Sequence, residues 1–292
     1  MASANGHEAP LFSAVSSSAR QLFQLLRCIG FAQKAQVQIT KEGLRFTVEE
    51  SRVMHGLAFL DKALFTAFNY TPPPPPPPPP HPRPRPPPAT FQISLSSLLE
   101  TLQILGLPDP KDRWPPRSPS HPTPFSTRLL GTPSLCRLSY ARPGSPLSIT
   151  LEEGSLTTTC ELATYLPEFP PEIPLARDAL AQKIIMRASW LHDAVTELAS
   201  TSPTRLTMTA APTAPYFSLA ATGPLGSAEV EFGRDRGLLE TFQVERRVSN
   251  TYKFSMVRAA GRAMACASKV SIRGDEWGVL SLQFMIEVEG GG

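Results

Sequence analysis

The 292-residue sequence has no run of eighteen apolar residues, so no membrane span is expected. Met1–Pro10 lacks a basic segment followed by an apolar stretch, and no secretory signal is expected there. Cysteine is scarce: Cys28, Cys136, Cys160 and Cys266 lie far apart, with no C-x-x-C and no histidine at ligand spacing. That argues against a zinc site and a disulfide framework, and points to small buried thiols in a reducing compartment. The nucleotide, esterase and zinc-peptidase signatures G-x-x-x-x-G-K-[ST], G-x-S-x-G and H-E-x-x-H are missing. Ala221–Gly226 reads as a hairpin turn rather than a phosphate loop. Asp275 and Glu276 are adjacent in a turn and point in different directions, whereas metal-dependent nuclease chemistry needs several carboxylates converging on metal ions. The histidines, His7, His55, His81, His121 and His192, are scattered. No catalytic residue, metal or cofactor is therefore expected. An excess of one charge is lacking too: 28 Lys and Arg against 25 Asp and Glu exclude a histone-like polycation but not a local basic surface.

What the sequence does hold is enough apolar matter, 41% of residues, for real cores, and length for two domains. Its 33 prolines are unevenly placed: fourteen fall in Pro72–Pro88 and seven in Pro108–Pro124. The first tract is a polyproline II rod by composition and the second a Pro/Ser loop. Both read as insertions in a folded body, over 71–90 and 108–126. The rod is either a tolerated surface insertion or a ligand for an aromatic-lined groove. Ser118, Ser120 and Thr123 are common loop phosphorylation candidates.

Between the insertions one unit recurs four times. Leu11–Val15 reads as a strand and Ser17–Ile29 as a helix with a Leu22, Leu25, Leu26, Ile29 stripe, followed by a hairpin of Ala35–Thr40 and Leu44–Glu50. The second copy is Phe91–Ser94, helix Leu95–Leu105, then Leu135–Ala141 and Leu147–Glu152. The third is Lys183–Arg187, helix Ser189–Ser200, Arg205–Ala211 and Tyr216–Thr222. The fourth is Tyr252–Ser255, helix Met256–Ser268, Lys269–Arg273 and Val279–Val288. Val53–Leu60, Leu156–Leu162, Ala228–Phe232 and Leu238–Arg246 read as further strands. The fold class is α+β: two similar domains, each with two helices on one face of antiparallel sheet. Domain one covers 1–162, an extended proline-bearing linker 163–182, and domain two 183–292.

This order, together with Ala19-RQLFQLLRCIGF-Ala32, the Lys-Glu-Gly-Leu-Arg-Phe-Thr-Val-Glu hairpin and the stretch Thr251–Ile286, resembles a sliding-clamp protomer. It is most similar to the Rad-one type subunit of the heterotrimeric DNA-damage checkpoint clamp, whose fold is like that of the replication clamp PCNA. The proline insertions depart from the family pattern and fall in loops. The resemblance implies two sister clamp subunits, double-stranded DNA threaded without sequence specificity, an ATP-dependent clamp loader, checkpoint and repair partners, no membrane, and a nuclear location.

Phosphates call for cations on the stripe opposite the buried one. Arg20, Gln24 and Arg27 stand at i, i+4, i+7 in the first helix; Arg258, Arg262 and Lys269 fall on or near one face of the fourth, and neither helix holds a carboxylate. Solvated helix faces carry the same residue types. The second helix offers no cation and the third offers His192, Asp193 and Glu197, so the lining is uneven. Residues 161–292 carry 13 basic and 15 acidic residues, giving domain two no net pull on DNA.

By order, Leu147, Ser148, Ile149, Thr150 and Leu151, and Tyr216, Phe217, Ser218 and Leu219, correspond to the edge strands through which clamp subunits pair; interior strands would read the same. Tyr165, Leu166, Phe169, Ile173 and Leu175 line a partner-peptide groove or fasten the linker to the body. Three rival readings stand beside the checkpoint clamp: a replication-type homotrimer, a Pro-rich adaptor, and a 3′–5′ exonuclease.

Overall fold

The computed structural model describes residues 9–72, 89–105, 135–153, 156–235 and 237–288. The expected insertions and their candidate phosphosites lie largely outside these residues. The described residues divide into two compact units, the first running to Pro170 but without Ser51–Met54, the second starting at Pro171 and including Ser51–Met54.

In unit one, β1 (Phe12–Ser16) leads into α1 (Ala19–Arg27). Ser18 caps α1 by accepting the Gln21 N–H at 3.2 Å. The hairpin β2 (Lys34–Ile39) and β3 (Gly43–Glu50) follows, then β4 (Met54–Asp61) and β5 (Ala67–Tyr70). Gly43 turns this hairpin at φ +154°, and a Cβ there would stand 2.1 Å from the Leu60 carbonyl oxygen, so only glycine fits. β6 (Thr90–Ser94) feeds α2 (Leu95–Leu105), with Ser94 capping the Ser97 N–H. Strands β7 (Leu135–Tyr140), β8 (Leu147–Glu153) and β9 (Leu156–Leu162) complete the unit. The strands make two sheets, ordered β5-β1-β7-β8-β9 and β4-β3-β2-β6.

Period-two burial builds the core. Val37, Ile39, Leu44, Phe46 and Val48 turn inward from the hairpin and meet Leu22 and Leu26 of α1 and Leu98 and Leu102 of α2. Phe91 stacks on Tyr140 at 4.3 Å between ring centres. Cys136 is fully buried here, and desolvation pushes its thiol up to about 12. Of the thiols expected inside, Cys28 and Cys136 are buried, Cys160 is partly buried, and Cys266 is exposed.

Unit two repeats the plan. β10 (Leu180–Arg187), α3 (Ala188–Leu198), β11 (Arg205–Ala210), β12 (Phe217–Gly223), β13 (Gly226–Phe232), β14 (Leu239–Val244) and β15 (Val248–Lys253) come in sequence. The expected fourth helix is divided into α4 (Phe254–Ala259) and α5 (Gly261–Cys266). The break falls at Ala260 (φ −78°, ψ 0°), just before Gly261, a residue of low helix propensity. β16 (Lys269–Asp275) and β17 (Leu280–Met285) end the unit. Its sheets are ordered β14-β10-β16-β17 and β13-β12-β11-β15. Within each unit the helices lie side by side, α1 on α2 and α3 on α5, with their apolar stripes on the sheets.

Candidate nucleic-acid interface and subunit edges

The helices bury one side and expose the other. On α1, Leu22 and Leu26 are buried while Arg20, Gln24 and Arg27 are exposed, as their spacing requires. Arg27 also lies 5.7 Å over the Phe23 ring, which lays its stem along the helix. Arg258 and Arg262 are both exposed and stay one turn apart across the α4–α5 break. These four arginines stand on segments that hold no carboxylate. Lys269 departs from the expected stripe. It opens β16, where alternation turns it to the face opposite buried Val270 and Ile272, and its Nζ donates to Glu240 Oε2 at 2.8 Å. An ammonium already paired on the outer face of a sheet does not join the helical arginines.

The exposed sides of the other two helices differ in sign. α2 presents Ser96, Glu100 and Gln103; α3 presents Asp193, Thr196 and Glu197, with His192 Nδ1 3.4 Å from Asp193.

The expected edge strands are corrected by the sheet order. β8, with Leu147, Ser148, Ile149, Thr150 and Leu151, lies between β7 and β9. β12, with Phe217, Ser218 and Leu219, lies between β11 and β13; Tyr216 precedes it, 6.0 Å from the Phe242 ring. Alternation alone reads the same in an interior strand and an edge strand. The sheet ends fall one hairpin arm outward, at β9 and β13. Each is seven residues long and contains no Lys, Arg or Pro to guard its open backbone. Thr157, Thr159 and Glu161 of β9 point outward, while Cys160 turns in to meet the Thr101 hydroxyl of α2 at 3.4 Å. On β13, Ser227, Glu229 and Glu231 point outward, and Ala228, Val230 and Phe232 face the core.

The linker residues are held at separate points within each unit. Tyr165 exchanges both backbone hydrogen bonds with Gln92, at 2.9 and 2.8 Å, extending the β6 edge by one bridge. Its ring is 54% exposed, Leu166 is 89% exposed and Phe169 57%, so these three side chains are offered to solvent rather than used as fasteners. Ile173 and Leu175 are half-buried in unit two. There Asp275, 1% exposed, gathers the N–H groups of Trp277 and Val279 on Oδ1 and that of Ala176 on Oδ2. The chain after Leu175 is thereby tied to the β16–β17 turn, an anchoring role for Asp275 that no motif announced. Among the described residues no three His, Cys, Asp or Glu side chains converge as metal ligands would.

Comparison with known proteins gives this arrangement its context. The family model described as repair protein Rad1/Rec1/Rad17 matches residues 11–286. The chain is 33% identical over 277 residues to the DNA damage checkpoint control protein rad1 of Schizosaccharomyces pombe, covering 94% of this chain and 81% of that protein. It is 32% identical over 282 residues to the cell cycle checkpoint protein RAD1 of Homo sapiens, covering 96% and 88%. Among solved structures, PCNA from Thermococcus kodakaraensis superimposes with a TM-score of 0.66 over 94% of each chain at 17% identity, which establishes the clamp fold.

Proposed function

The chain belongs to the Rad1/Rec1/Rad17 family of repair proteins, and on that premise we propose that it is a non-catalytic subunit of a heterotrimeric ring that is placed around DNA at damage sites and serves as a platform for checkpoint signalling and repair. The observation that carries this reading is the charge of two helical faces on a clamp fold: Arg20, Arg27, Arg258 and Arg262 are exposed on segments free of carboxylates. A ring held by topology needs no base contacts. It needs mobile cations that screen phosphates without fixing register, and arginines on rigid helices supply them. Gln24, exposed between Arg20 and Arg27, adds a neutral donor.

Two sister subunits join at β9 and β13, whose open backbone accepts a strand by β-augmentation. An ATP-dependent loader opens the ring, in keeping with a sequence that has no nucleotide-binding loop. Checkpoint and repair proteins dock short apolar segments on the linker, where Tyr165, Leu166 and Phe169 are exposed. The ring works in the nucleus, without a membrane partner.

Retention on linear DNA with open ends tests this reading. Rings assembled with Arg258→Glu and Arg262→Glu should form normally and slide off or dissociate faster. Unchanged retention by the assembled variant ring would remove the arginine assignment. Amide exchange tests the edges: 156–162 and 226–232 should gain protection when the ring forms. Edges that stay unprotected would place the joints elsewhere.

A further inference from the structure

Each candidate joining edge has a helix packed beneath it, α2 under β9 and α3 under β13. The composition of these four elements is one-sided. α2 and β9 hold Glu100 and Glu161; α3 and β13 hold Asp193, Glu197, Glu229 and Glu231; none of the four contains a lysine or arginine. All six carboxylates are exposed. Among the described residues Glu100, Glu161, Glu197, Glu229 and Glu231 make no ion pair, and Asp193 meets only its neighbour His192. Of the cations nearby, Arg137, two strands in from the β9 edge, approaches Glu152 at 4.0 Å, and Arg234, beyond β13, lies 5.8 Å and 5.7 Å over the Tyr216 and Phe242 rings, while Arg205 on β11 and Arg247, which lines a cleft with Glu229, are exposed behind the β13 edge strand rather than on it.

We propose that both joining ends of this chain are acidic docking surfaces selected for basic partner edges, so that a second copy is rejected and sister subunits with lysine or arginine opposite β9 and β13 are accepted. The proposal rests on the reading of β9 and β13 as joining edges. Closing a ring from copies of this chain would set β9 of one copy against β13 of the next. Glu161 would then lie across from or diagonal to Glu229 and Glu231, with Glu100 facing the side of Asp193 and Glu197. Like charges directly across a strand pair are destabilising, and several act together here. An edge lacking the usual lysine guard is thus protected from self-pairing by shared acidity, while its backbone stays available to a strand of opposite charge. The same reasoning accounts for the two helices without cations: their exposed carboxylates serve the joints, not the DNA.

Reversing one end makes the copies complementary. The variant Asp193→Lys, Glu197→Lys, Glu229→Lys, Glu231→Lys keeps β9 and α2 acidic. In sedimentation equilibrium at about 50 mM salt it should self-associate at least about tenfold more tightly than the unmodified chain, and lose most of that gain by about 300 mM salt. The smaller variant Glu229→Lys, Glu231→Lys alters only exposed edge positions and should move in the same direction if the larger one folds poorly. Self-association unchanged in both folded variants, or already as tight in the unmodified chain, overturns the acidic-end proposal. Amide exchange separates this from failure of the underlying reading. Protection of 226–232 in the sister-containing ring, together with charge-insensitive self-association, rejects the charge rule alone. Absence of protection in that ring rejects the edges themselves.

Discussion

α1 and α2 stand side by side in one unit and bury the same kind of stripe, Leu22 and Leu26 in one, Leu98 and Leu102 in the other. Their exposed sides are opposite in character: α1 offers Arg20 and Arg27 and no acid, α2 offers Glu100 and no cation. The second unit repeats the contrast, with Arg258 and Arg262 on α4 and α5 against Asp193 and Glu197 on α3. The buried side of each helix is set by the sheet it covers and cannot vary much. The exposed side is free of packing demands, so it records what each helix faces. On the proposed reading, α1 and the α4–α5 pair carry charge suited to phosphates, and the two helices beneath β9 and β13 carry charge suited to neighbouring subunits.

The largest effects should come from the side the helices share. Leu22→Ala in α1 and Leu98→Ala in α2 should each cost about 2–5 kcal/mol in denaturant unfolding, because both side chains are fully buried in one core. A marked inequality between them would mean that the helices are not equivalent supports. The next effect separates the exposed sides. Arg20→Glu with Arg27→Glu should lower retention of the assembled ring on DNA by roughly tenfold and flatten its salt dependence. Glu100→Gln with Glu197→Gln should change retention by less than about twofold. Equal effects from the two pairs would erase the division between them. Smaller still, Glu100→Lys with Glu161→Lys should weaken capture of the sister subunit at the β9 end by a few-fold at low salt, leaving β13 capture unchanged. The smallest change is expected from Lys269→Ala. Its pair with Glu240 is surface-exposed, so stability should move by less than about 1 kcal/mol and DNA retention not at all.

Much of this was legible in the residues. The hairpin alternation at Val37, Phe46 and Val48 and the Arg20, Gln24, Arg27 stripe depend on local spacing, and local spacing sets burial directly. Four strand–helix–strand–strand units emerged for the same reason. Sheet order did not. Whether Leu147–Glu153 is an edge depends on where Leu156–Leu162 pairs, and alternation carries no record of that. The expected edges were therefore displaced by one strand in both units. Lys269 was misread because a helix face was carried past its end at Cys266 into a strand, whose alternation obeys a different period. The Asp275 anchor was invisible because it gathers backbone N–H groups, one of them from Ala176, which sequence spacing does not reveal.

The most direct test of the account is the mass of the protein in solution, alone and co-expressed with sister clamp subunits. The account predicts a 31.8 kDa monomer alone and a one-to-one-to-one complex with two sisters. A stable homotrimer of the isolated chain, or a monomer under both conditions, would contradict it.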